Sequence, residues 1–391
     1  MNIEKLKLMQ EAVRQAVDEK FVAGANLLVI KDGEEQFYCE EGMADVQNGT
    51  PVRRGTIFRL YSQTKPITAA AAMILMERGQ IELMDPVSKY LEGFKDQKVW
   101  TPEGPEPVRR PMEIRDLLSM TSGLPYGGGP SVPEQQAQAV FDEANTKLHT
   151  DQEIGTVEMA NRLGRNLLMF HPGEKFMYGT SADVLGAVIE VVSGMRFGEF
   201  LRKEIFEPLH MIDTDFWVPG SKQYRLAKVY VNGRVPEEYD HDHLTIQHGM
   251  DQPPRYEAGG AGLASTIDDY RRFAMMLMNG GVYKGVRVLS PKTVEYMTTH
   301  HLTPQQQPYL EQTWPNLAGY SYGNLMRVLT DPGEAVYEGF EGEYGWDGWL
   351  GTYFFNAPKE KLIMILMYQL SDAGTTRLTR VLRNLLGAAM S

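Results

Sequence analysis

The chain has 391 residues, of which 42% are hydrophobic and 23% charged, enough apolar material for a large folded core and too much for a disordered chain. Its formal net charge of -12 argues against nucleic acid or an anionic membrane as a partner, because counterion release needs a basic surface. A single cysteine, Cys39, precludes an intramolecular disulfide; it sits in a strand-like run and reads as structural rather than nucleophilic.

The opening twenty residues carry Ile3, Leu6, Met9, Val13 and Val17 at helical spacing among charges, which predicts an amphipathic helix and not a signal peptide. No uninterrupted apolar run approaches the length of a membrane span, so the expectation is a cytoplasmic protein with no membrane contact. Ala23 to Ile30, the turn Lys31-Asp32-Gly33 and Glu35 to Cys39 read as a β-hairpin. Next come Ser62 and Lys65, three residues apart at the opening of a segment that is apolar nearly all round, Ala69 to Met76, and ends at Arg78-Gly79.

Residues three apart on a helix share a face. A serine hydroxyl is a poor nucleophile until a neighbour takes its proton, and a lysine in apolar surroundings can have its ordinary pKa of about 10.4 lowered enough to do so. Ser-x-x-Lys alone is a weak signal. Its placement at the start of the most apolar helix in the chain strengthens it.

Further on, helices are expected at Met112 to Met120, Val132 to Asn145, Asp151 to Leu168, Ser181 to Ser193, Phe197 to Phe206, Thr266 to Asn279, Ser290 to Thr298 and Asp372 to Met390. Strands are expected at Gly319 to Leu329, Ala335 to Gly342, Gly351 to Asn356 and Leu362 to Gln369. Pro219 to Pro254, with His241, His243 and His248, reads as a solvated loop rather than a metal site, since no cysteine or carboxylate motif accompanies it. Gly259-Gly260-Ala261-Gly262 lacks the form of a nucleotide-binding loop and reads as close backbone packing. Strands near both ends of the chain predict an α+β fold, an antiparallel sheet flanked by helices, with a helical domain (79–174) inserted into a sheet domain (1–78 and 175–391).

Six stretches in order, Thr56 to Leu91, Ile114 to Pro125, His171 to Gly194, Ile205 to Phe216, Ala258 to Gly281 and Tyr344 to Gln369, resemble the penicillin-recognising serine hydrolases: class C β-lactamases, D-alanyl-D-alanine carboxypeptidases and, most closely, the family VIII esterases. The resemblance covers nearly the whole chain and implies the β-lactamase/transpeptidase-like version of that fold, with the active site between the two domains. It implies Ser62 as nucleophile, Lys65 as its partner, Tyr178 as the tyrosine of the second motif, and the backbone amides of Ser62 and Trp349 as oxyanion hole. Two departures bear on substrate. Thr180 stands where β-lactamases have asparagine, and Trp346-Asp347-Gly348 stands where they have Lys-Thr-Gly. The lost lysine would have held a substrate carboxylate, and Trp-Gly-Gly of the esterases is the nearer match, so Trp346, Asp347, Gly348 and Thr180 are expected to contact a neutral ester.

The expected activity is therefore ester hydrolysis through an acyl-enzyme on Ser62, on a small-molecule ester or amide, with no metal or organic cofactor. A β-lactamase, D-amino-acid peptidase, amidase or acyltransferase on the same fold is the alternative, and a noncatalytic binding protein the second. An α/β-hydrolase is disfavoured because no Gly-x-Ser-x-Gly occurs. The loops Gly127 to Pro133 and Pro219 to Pro254 are expected to line the entrance.

Overall fold

A computed structural model describes residues 1–390. Its centre is an eight-stranded antiparallel sheet, in the order Tyr320–Gly323, Met326–Leu329, Tyr344–Asp347, Tyr353–Ala357, Leu362–Tyr368, Gly24–Lys31, Glu34–Asp45 and Thr50–Pro51. The two ends of the chain meet in the middle of this sheet, where Leu28 lies opposite Ile365. The fold is α+β, a sheet flanked by helices as expected.

Strand side chains alternate between faces, and here both faces are buried. Leu27, Val29, Met364, Leu366 and Phe355 pack with Leu6, Met9 and Val13 of the helix Ile3–Asp18 and with Leu382 and Leu386 of Arg377–Ala389. Leu28, Ile30, Ile363, Ile365 and Phe354 point the other way, into the core that holds Lys65–Glu77 and Ile267–Met278. Burial on both faces explains why Leu362–Tyr368 is an unbroken apolar run.

Four strand and helix expectations need correction. Gly319 to Leu329 is a hairpin and not one strand, because Asn324 and Leu325 turn the chain with φ of 50° and 61°. Ala335 to Gly342 forms no strand. At its middle the backbone turns to the last helix: Glu338 N–H donates to Asn384 Oδ1 at 2.9 Å, and Arg383 Nη2 donates to the Glu338 carbonyl at 2.9 Å. The last helix begins at Arg377, not Asp372, which frees residues 372–375 as a loop beside the sheet. The helix expected from Asp151 is confined to Thr156–Gly164.

Among the described residues, no helix is long and apolar enough to cross a membrane. Cys39 is buried and its thiol is pushed up to about 12 by desolvation, which leaves it inert at neutral pH.

Candidate active site

The strand Phe58–Arg59 leads into Tyr61, which adopts φ of 45°, a left-handed conformation that is uncommon for an aromatic residue. Its buried ring is fixed against Trp349, 4.9 Å between centroids. The bend starts a 3₁₀ turn, Tyr61–Thr64, so Ser62 lies one turn before the α-helix Lys65–Glu77 and not within it. Pro66 at the second helical position suits this start, since its missing N–H falls where the helix has no acceptor to offer.

Lys65 is fully buried and its three ammonium donors are all placed: on Ser62 Oγ at 3.1 Å, the Tyr126 hydroxyl at 3.3 Å and the Gly260 carbonyl at 2.7 Å. Desolvation lowers its pKa to about 8, against the opposing pull of the Asp183 and Asp347 carboxylates. Tyr178 lies in the same group. Its hydroxyl lies beside Ser62 and accepts the Trp346 indole N–H at 3.0 Å, while Lys65 Nζ sits 4.6 Å from its ring centre. Desolvation pushes its phenol well above the ordinary value, so Tyr178 is protonated at neutral pH.

Trp346 and Asp347 come from the strand Tyr344–Asp347, and Gly348 follows it. Gly348 must be glycine for packing: a Cβ there would lie 2.2 Å from the Leu60 carbonyl oxygen and 2.4 Å from Thr352 Oγ1. Asp347 accepts from Thr375 Oγ1 at 2.7 Å and lies 3.8 Å from the buried Arg327 Nη1, so its charge is partly balanced. Trp349 packs on His243, 4.2 Å between nearly parallel rings, and donates its indole N–H to Asp372 Oδ1 at 2.7 Å. Among the described residues no hydrogen bond takes up the Trp349 backbone N–H.

A cleft of about 400 Å³ opens over these groups. Ser62, Tyr178, Trp346, Asp347, Gly348 and Trp349 line it, together with Trp314, Asn316, Leu317 and the 372–375 loop. Thr180 does not: it is fully buried and its hydroxyl has no partner. Neither of the loops expected at the entrance lines the cleft. The stretch from Pro219 to Pro254 is also less solvated than expected, since His243 and Tyr239 pack on Trp349. Among the described residues no group of three His, Cys, Asp or Glu side chains could hold a metal ion.

Three neighbours of Lys65 escape a reading of the sequence: Tyr126, Asp183 and the carbonyl of Gly260. Asp183 carried a usable signal, being a carboxylate in the first turn of the largely apolar helix Ser181–Ser193. It is buried, accepts from Gly260 N–H at 3.0 Å and Tyr256 OH at 2.8 Å, and desolvation raises its pKa. The glycine run packs closely, as expected: a Cβ on Gly259 would lie 2.3 Å from the Ala182 carbonyl oxygen.

A family model described as Beta-lactamase matches residues 9–388. The chain belongs to the beta-lactamase family. This family member is 33% identical over 370 residues to protein Rv1367c of Mycobacterium tuberculosis, covering 92% of this chain and 89% of that one. It is 29% identical over 355 residues to esterase EstB of Burkholderia gladioli, covering 87% of this chain and 84% of EstB. Among solved structures it is similar to EstCE1, described as a hydrolase with promiscuous acyltransferase activity, with a TM-score of 0.82, 25% identity and 98% of each chain covered. The family is one of serine hydrolases, and the sheet with its flanking helices is the β-lactamase fold.

Proposed function

We propose that the protein hydrolyses carboxylic esters through an acyl-enzyme on Ser62. The observation that carries this reading is the 3.1 Å contact between Ser62 Oγ and a fully buried Lys65 whose pKa is lowered to about 8, at the floor of an open cleft. Neutral Lys65 takes the hydroxyl proton as Ser62 attacks the ester carbonyl. The Ser62 and Trp349 backbone amides hold the oxyanion. Tyr178, a phenol that keeps its proton, relays the proton from Lys65 to the departing alcohol, and the same pair then activates water to release the acid. Tyr178 in this role is a relay and not a phenolate base, because desolvation raises its pKa. The site lies between the sheet domain, 1–78 and 175–391, and the helical domain, 79–174, which contributes Tyr126.

The naming of EstB as an esterase supports this reading. Against β-lactams, among the described residues no lysine or arginine lines the cleft to meet a substrate carboxylate. Acyl transfer is a second reading, favoured by the likeness to EstCE1, and differs only in an alcohol replacing water. The test is hydrolysis of p-nitrophenyl butyrate beside nitrocefin, with wild type and Ser62→Ala, and with an added alcohol to detect transfer. Ester turnover that survives in Ser62→Ala, or nitrocefin turned over as fast as the ester, would sink the esterase reading.

A further inference from the structure

We propose that the cleft over Ser62 selects esters carrying a cationic ammonium group, bound between Asp372, Asp347 and the surrounding aromatic rings; this rests on the esterase reading. Both charged side chains lining the cleft are aspartates. Asp372 is exposed, uses one oxygen to accept the Trp349 indole N–H, and makes no ion pair among the described residues. Asp347 lies deeper, its side chain 19% exposed, and is only partly balanced by Arg327 at 3.8 Å. Arg327 itself is buried at 1% exposure and is not part of the lining. Lys65, the other nearby cation, is committed to three acceptors below the floor and must be neutral to act as the base.

The walls add a second, independent attraction. Tyr178, Trp314, Trp346 and Trp349 all line the cleft, with Trp314 centred 4.9 Å from Tyr178 and 5.7 Å from Trp346. Aromatic faces attract ammonium ions, most strongly where water is excluded. A neutral ester gains only burial here and an anionic one meets two carboxylates of which Asp347 alone is partly balanced, whereas a cation gains from both the rings and the charges.

Butyrylcholine and 3,3-dimethylbutyl butyrate have the same shape and differ by one charge. Their kcat/KM ratio would be measured in wild type, Asp372→Asn and Asp347→Asn, with choline binding followed by tryptophan fluorescence in the same three proteins. The expected result is a wild-type preference for the choline ester of about fivefold or more that falls by at least half in Asp372→Asn, with choline binding weakened in parallel. A smaller preference, or one that both variants keep, overturns the proposal. Turnover of the neutral isostere that disappears in Ser62→Ala tests the esterase reading separately. If neither ester is turned over, that reading fails and choline binding decides this one: weaker binding in Asp372→Asn supports it, and no saturable binding to wild type overturns it.

Discussion

Asp183 and Lys65 hold opposite ends of Gly260, the carboxylate accepting its N–H at 3.0 Å and the ammonium donating to its carbonyl at 2.7 Å. No direct ion pair joins the two, yet the Asp183 charge raises the pKa that burial has lowered in Lys65. Asp183→Asn keeps the shape and an acceptor but removes the charge. The predicted outcome is a further fall in the Lys65 pKa, seen as a shift of the acidic limb of the kcat/KM profile to lower pH. A purely structural role would lower the rate and leave the limb where it is.

In the wild type, Lys65 acts as a base only when neutral. With its pKa near 8, ester hydrolysis is predicted to rise with pH through about 8 and then level off. Lys65→Met should cost roughly 10²–10⁴-fold in kcat and abolish that limb. A profile already flat from pH 6 would assign the base elsewhere.

Gly260→Ala would place a Cβ 2.6 Å from Asp183 Oδ2 and 3.1 Å from the Tyr126 hydroxyl. We predict a stability loss of about 1–3 kcal/mol by urea denaturation and a lower kcat, because the displaced carboxylate and carbonyl are those that hold Lys65.

Thr180 buries a hydroxyl without a partner and stands outside the cleft lining. Thr180→Val removes that unpaired group with little change of shape, so stability is expected to hold or rise by up to about 1 kcal/mol, and kcat/KM to stay near the wild-type value. A loss of about tenfold in kcat/KM would return Thr180 to the substrate path.

Arg383 of the last helix and Glu343 form a fully buried ion pair at 2.6 Å, and Tyr320 OH also donates to Glu343 at 2.6 Å. Removing one partner strands a charge in the core. Arg383→Met is predicted to cost about 3–5 kcal/mol in chemical denaturation, with part of the loss recovered when Glu343→Gln is added. A double variant no more stable than Arg383→Met alone would show that the stranded Glu343 charge is not the cause of the loss.

What the sequence by itself determined is what depends on neighbours along the chain. The helix Ser181–Ser193 and its glycine stop follow from periodicity and from Gly194, which takes φ of 68°. The Ser62–Lys65 pair was legible because three residues of local structure are enough to bring its atoms together. The fold class was legible because hairpin and strand patterns stand near both ends of the chain, and the order of the six resembling stretches identified the family. Tertiary structure alone decided which remote groups surround Lys65: Tyr126, Asp183 and Gly260 reach it through contacts that no spacing encodes. It also decided the cleft walls. Residues 372–375 read as helix until Thr376 caps a later start, and Ala335 to Gly342 looks like a strand but pairs with none, its Glu338 backbone bonding to side chains of the last helix. A backbone group must find a partner, and whether that partner is a neighbouring strand or a side chain on a distant helix is settled only when the chain has packed.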